Sequence, residues 1–551
     1  MTRLMLTDRS LHPMAEPVAR QFREGHLNRR EFFATMAAFG VSSAGAAALG
    51  GLTLGAGAAR AQEAAPQKGG ILRMSMNVKP FRDPRAFDGH QIAQISRQVN
   101  EYLVRWRSDF TFEPWLMEAW EASDDAKTLT LKLRPGIMWS NGDAFGADDV
   151  IHNLTRWCDG NVEGNSMASR FGVLVDPATK TLIPGTLERV DDLTVRIHMP
   201  RPDITLIAGL TDYPALIMHR SYEGDEDPFR ALAISTGPCE LVSWEPNVGA
   251  EVKRKATPWW KGEHWLDGIR WVDLGLDPAA AAAAFEAEEI DATDETPADS
   301  LPLFEAAGAT TSGIATGSTV VCRFNMEQAP YQDLRIRRAA ALAVDNAVVL
   351  ELGVNGAGEP AANCHVGPMH EEFSDIGPHL RDVPAALQLL EEAGASDHEY
   401  ELISIDDDWQ AMTCDAVASQ MRDAGLKVKR TILPGATFWN NWTKYPFSAT
   451  EWNGRPLGVQ VLAMAYRTGE AWNETAFSDA RFDELLNQAL ATPDVEARRA
   501  LMREIQTILR EAGVIIQPYW RSVYRSFRPG VNELDMQQAF EAHLEKVWLS
   551  A

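Results

Sequence analysis

Hydrophobic and polar positions alternate in two short stretches. Leu129, Leu131 and Leu133 alternate with Thr130 and Lys132, a period of two that predicts a half-buried strand. Val195, Ile197 and Met199 repeat the pattern. Turn clusters at 123–125 (Ser-Asp-Asp) and 140–143 (Ser-Asn-Gly-Asp) flank the first strand. Elsewhere the period is helical. Residues 279–289 are rich in strong helix formers, and 385–392 form a helix closed by Gly394. Phe482, Leu485, Leu486, Ala489 and Leu490 mark one apolar face after Ser478. Thr492-Pro493 opens the next helix with proline at its first position, with Leu501, Ile505, Ile508 and Leu509 as its stripe and Gly513 as its end. Ile515, Ile516, Tyr519 and Trp520 then read as a strand. The pattern is mixed α/β, and 551 residues exceed one compact core, so two or three lobes are expected.

The first sixty residues carry a different signal. Arg29-Arg30 precedes Phe32-Phe33, an uncharged Ala/Gly-rich run follows to Ala59, and Ala59-Arg60-Ala61 is a small-x-small cleavage pattern. Residues 1–61 resemble a twin-arginine signal peptide for export of a folded protein to the periplasm. The run is long enough to span a membrane, but Ala and Gly make it weakly hydrophobic. No Cys follows it to carry a lipid anchor.

Charge and composition narrow the partners. A formal net charge of -25 disfavours nucleic acid and anionic membranes. Five cysteines lie far apart without a CxxC, so buried reduced thiols are expected. Catalytic motifs are absent: there is no Walker loop, GxSxG, HExxH or GxGxxG after a strand. Cys364-His365 with His370 lacks regular ligand spacing and reads as a loop packing its own polar groups. Asp406-Asp407-Asp408 reads as a solvated face.

A set of blocks in fixed order resembles the family 5 extracellular solute-binding proteins, the peptide/nickel/opine group. These are Gly69–Met74, Trp115–Glu121 with Ser123-Asp124-Asp125, Leu131–Gly136, Trp139–Phe145, Ala147–Val150, Ser235–Pro238, Trp259–Gly262, Phe324-Asn325, Pro330-Tyr331 and Asp333–Ala339. The resemblance implies an α/β fold, a two-lobed periplasmic binding-protein clamp with an extra domain inserted in lobe one. It places lobe one at 69–110, 232–320 and 518–551, the extra domain at 111–231 and lobe two at 321–517. It implies a periplasmic substrate-binding component of an ABC importer that closes on a peptide-like or opine-like solute. The protein would be a monomer and not an enzyme, without cofactor or metal, delivering to permease and ATPase subunits. A nickel-chelate or haem receptor of the same fold, or a secreted hydrolase, is the alternative.

Peptide receptors of this group carry Trp-x-x-Asp in lobe two, whose Asp pairs with a peptide amine. The matching stretch here is Trp452-Asn453-Gly454-Arg455. An Arg fork binds carboxylate or phosphate and cannot accept from an ammonium. Arg455 either faces an acidic group of the solute or pairs internally with an acid such as Glu451. By the same resemblance, Trp409, Phe438, Trp439 and Trp442 wall the lobe-two side of the cleft, together with Trp452, Asn453 and Glu451. His90 and Gln94 face it from lobe one.

Overall fold

The computed structural model describes residues 66–550, apart from 276, 406, 407 and 471. Residues 1–61, expected to be a twin-arginine signal peptide, and Asp406-Asp407 lie outside the described residues. Three main sheets organise the chain. The first has eight strands. At its centre Ile71–Ser75 runs parallel to both Gly268–Val272 and Ala292–Thr293. Antiparallel strands extend it on both sides: Gly249–Arg254 and Cys239–Glu245 on one, Tyr519–Phe527 and Thr310–Ala315 on the other. Leu72 and Met74 face the core, where helix His90–Ser96 packs with Ile92, Ala93 and Ile95 buried.

The second sheet orders Lys427–Leu433, Glu399–Ile405, Phe447–Trp452, Thr319–Phe324 and Ile515–Ile516. Every residue of Thr319–Phe324 is buried, because both faces are covered. Val320, Cys322 and Phe324 join one apolar cluster with helix Asp408–Asp423, and Val321 joins another with helices Ala480–Leu490 and Val495–Ala512. The third sheet is antiparallel: Met117–Ala122, Thr128–Leu133, Thr194–His198 and Leu187–Asp191. Leu129, Leu131, Leu133, Val195 and Ile197 are all buried, as their alternation predicts. Residues of this segment share one continuous core with the first sheet. Its far end meets the second sheet's helices, where Ala208 joins their cluster and Ile204 N donates to Leu490 O at 3.2 Å.

Several element boundaries differ from the sequence reading. Pro493 is not the first helical residue, since Asp494 caps Val495–Ala512 through the Ala497 N–H. The Ala-rich helix stops at Glu286, before Glu288 turns left-handed at φ 60°. Ile515 through Trp520 is two strands. Pro518 has no N–H to extend a ladder, and the chain changes sheets there: Ile515–Ile516 pairs in the second, Tyr519–Phe527 in the first. The chain also crosses between these sheets from Ala315 to Thr319, and Gly358–Pro360, between strands of the second sheet, returns to pair with Tyr519–Arg521. The crossings at 315–319 and 516–519 are stitched together. Arg521 N donates to Ser318 O at 2.8 Å, Thr316 N to Arg521 O at 2.9 Å, and Thr319 Oγ1 to Tyr519 O at 2.6 Å.

Candidate functional site

In sheets with parallel strands, side chains converge beyond the carboxyl ends, where loops diverge and leave a crevice. The parallel trio of the first sheet ends in such a crevice. A pocket of about 300 Å³ is lined there by Ser75, Asn77, His90, Asp294, Glu295 and Arg521, among others. His90 opens its helix, places Nε2 2.8 Å from Asp294 Oδ2, and stacks on Phe540 at 4.4 Å. Burial alone would raise the Asp294 carboxyl. His90, Arg525 and Gln94 outweigh that and hold it below the carboxylate range. Gln94 lies beneath the pocket and does not line it. It is buried, donating to Asp294 Oδ1 and Phe540 O and accepting from Ala542 N.

Glu295 and Arg521 are a looser pair. Arg521 Nη2 and Glu295 Oε1 are 3.5 Å apart. Burial pushes the Glu295 carboxyl up, against the pull of Arg521. The Arg521 guanidinium also lies 5.1 Å from the ring centre of Trp409, in the helix that packs on the second sheet. One side chain therefore lines the pocket and touches a helix of the second sheet, while its backbone is held at the crossings.

The second sheet brings 452–455 to the 315–319 crossing, and none of these residues lines the pocket. Trp452 is buried, and its Nε1 donates to Glu474 Oε1 at 2.9 Å. Glu474 also accepts from Thr450 Oγ1 and pairs with the buried Arg323 at 2.9 Å. Strand alternation puts Glu451 on the opposite face from Thr450 and Trp452. Asn453 is exposed. The half-buried Arg455 donates from Nη1 to the carbonyls of Asn453 and Gly454 at 3.1 and 3.2 Å. Burial lowers its pKa, Asp212 raises it and Arg170 lowers it. The guanidinium thus lies in the field of the 111–231 segment, a neighbour its sequence position does not reveal. Trp439 is 45% exposed and contacts Trp442 edge-on at 6.2 Å; Trp442 meets Trp472, which meets Trp452.

Gly454 packs directly on the first crossing. A Cβ there would fall 3.0 Å from both Cα and N of Gly317. Backbone atoms cannot swing aside as a flexible side-chain end can. Gly454→Ala should therefore push the loop off the crossing, at roughly 1–3 kcal/mol for overpacking. Thermal melts should show the loss, and an unchanged melting temperature counts against a tight contact.

The family model for bacterial extracellular solute-binding proteins, family 5 (middle region), matches residues 111–474, more than half of the chain. The chain belongs to family 5. The dipeptide-binding protein DppE of Bacillus subtilis is 23% identical over 459 residues, 78% of this chain and 82% of that protein. Heme-binding protein A of Haemophilus influenzae is 25% identical over 467 residues, covering 78% and 83%. The structure of HbpA2 from Haemophilus parasuis superposes with a TM-score of 0.76 at 18% identity, over 88% of this chain and all of that one. This family 5 protein is accordingly a two-lobed solute-binding component of an ABC importer.

The Cys364–His370 stretch of this family 5 protein is core. His365 Nδ1 lies 2.7 Å from the Tyr466 hydroxyl, and Gly367 N donates to His370 Nδ1 at 3.0 Å. Among the described residues no group of three His, Cys, Asp or Glu could hold a metal ion, and no helix is long and apolar enough to cross a membrane. All five cysteines are free and buried. The sequence reading missed Glu295, Arg521, Asp294 and Glu474. Only the position of Asp294 and Glu295 just past a strand's carboxyl end marks them, and a two-residue strand has no period to detect.

Proposed function

We propose that this family 5 protein captures a peptide-like or opine-like solute between lobe one (69–110, 232–320 and 518–551, with the extra domain 111–231) and lobe two (321–517). The lobes close about the two crossings. His90, Trp409, Trp439, Asn453 and Arg455 contact the solute, while Gln94, Glu451 and Trp452 shape the walls around them. Residues 1–61 direct twin-arginine export to the periplasm, where the protein passes its solute unchanged to the permease. The observation that carries this reading is the pocket beside the stitched crossings, with Arg521 reaching both lobes. Curated relatives named as dipeptide-binding and a solved relative bound to agropinic acid support the solute class.

A thermal-shift screen of dipeptides, opines and free amino acids tests it, since a ligand that binds only the folded state raises the melting temperature by mass action. Calorimetry should then give one site per chain. Arg455→Ala should weaken the hit at least ten-fold, about 1.4 kcal/mol or more, with the fold intact. Arg455→Lys should also bind poorly, because it lacks the planar fork. A screen without a hit in these classes sinks the solute assignment; full affinity in Arg455→Ala removes Arg455 from the site.

A further inference from the structure

The charges around the lobe-one pocket are unequally satisfied. Asp294 is engaged by His90, Gln94 and Arg525. Asp277 caps a helix by accepting from Ala279 N. Glu295 and Arg521 have only each other as ion-pair partners among the described residues, at 3.5 Å, and both side chains are 32% exposed. They stand side by side on the pocket wall. A carboxylate and a guanidinium so placed present one anionic and one cationic surface a few ångströms apart. The ligand group that matches both is itself a compact zwitterion. Its ammonium donates to Glu295, and its carboxylate accepts the Arg521 fork.

We propose that the pocket takes an α-amino-acid head, with the ammonium and carboxylate on one carbon, bound by Glu295 and Arg521. This rests on the solute-binding reading above and narrows its solute class. An unmodified α-dipeptide separates its amine from its carboxylate by a peptide unit, so it fits less well. A γ-glutamyl compound or an N-carboxyalkyl amino acid keeps both charges on one carbon. Arg521 then acts as a specificity residue whose guanidinium faces Trp409 and whose backbone is fixed to residues 316–318. Engagement of the head is thereby tied to the hinge.

The test is titration calorimetry on the mature chain with γ-glutamylalanine, N-(1-carboxyethyl)arginine and alanylalanine, plus N-acetyl and α-amide forms of γ-glutamylalanine. At least one of the two head-bearing probes should bind at least ten-fold tighter than alanylalanine. If it is γ-glutamylalanine, either cap should cost at least ten-fold. For the head-bearing probe that binds, Glu295→Gln should weaken binding at least ten-fold; for N-acetyl-γ-glutamylalanine it should leave affinity within about two-fold, because the acetylated probe has no ammonium to lose. Arg521→Gln should show the mirror effect with the α-amide, and melts of each variant report folding. If Arg521→Gln does not fold, Glu295→Gln with the capped probes still decides. Capped and uncapped probes binding alike overturns the proposal, as does Glu295→Gln weakening both alike. Alanylalanine binding where both head-bearing probes fail overturns it while the solute-binding reading stands. Failure of every probe overturns both.

Discussion

Glu474→Ala should cost about 3–5 kcal/mol of stability, because it leaves a buried charge without its partner. The guanidinium of Arg323 is fully buried and forms its ion pair with Glu474. The same carboxylate accepts from Trp452 Nε1 and Thr450 Oγ1, so its loss also strands two neutral donors. Thr450 and Trp452 belong to the strand that delivers Gly454 and Arg455 to the crossings. Lower affinity for the solute should therefore accompany the lower melting temperature. The double variant Arg323→Met/Glu474→Leu should recover much of the stability, since removing both charges removes the desolvation cost. A single Glu474→Ala variant that melts like the parent would falsify the view that this ion pair anchors the strand.

Acidification should destabilise the fold through its buried histidines. Burial, helped by the neighbouring His370 and Arg455, pushes His365 down to about 3, and burial pushes His370 down to about 4. An unfolded histidine titrates near 6.5. Between that value and about 4 the unfolded chain binds protons that the folded core refuses, so stability is full above pH 6.5 and falls as pH drops. Each histidine contributes up to about 1.4 kcal/mol per pH unit in this window. Burial also lowers His264, His379 and His398, which add to the slope. Both His365 and His370 lie against Trp520, so tryptophan emission should report the transition. Denaturation midpoints that stay flat from pH 7 to 5 would contradict these burial effects. Asn at both positions should flatten the slope relative to the parent.

The amphipathic elements were legible because their periods are local. Leu129, Leu131 and Leu133 need only their neighbours to declare a strand, and Phe482 through Leu490 a helix. The family blocks located the two-lobed frame for the same reason, being contiguous runs. The pocket was not legible. Glu295 and Arg521 are separated by 226 residues and meet only because short strands pair across the first sheet. Trp452 and Gln94 were expected at the cleft surface, and the structure places both side chains in buried hydrogen-bond networks. Residue type alone cannot separate a tryptophan that faces solute from one that closes a core around Glu474.

Strand Tyr519–Phe527 lies inside the first sheet, between Ala292–Thr293 and Thr310–Ala315, and the segment after it reaches back to Gln94 across 448 residues. This ordering sets a timetable for biosynthesis. The second sheet and its helices are drawn almost entirely from 319–516 and can assemble while the chain is still being made. The first sheet cannot close until residues 519–527 have been translated, because its missing strand follows the whole of the second sheet in the chain. Contacts so distant in sequence pay a large loop-closure entropy and form late. A nascent chain therefore carries an open sheet edge while all of the second sheet is being made. A ribosome stalled before residue 519 would hold a chain with one lobe built, the other lacking a wall, and no Arg521 to join them.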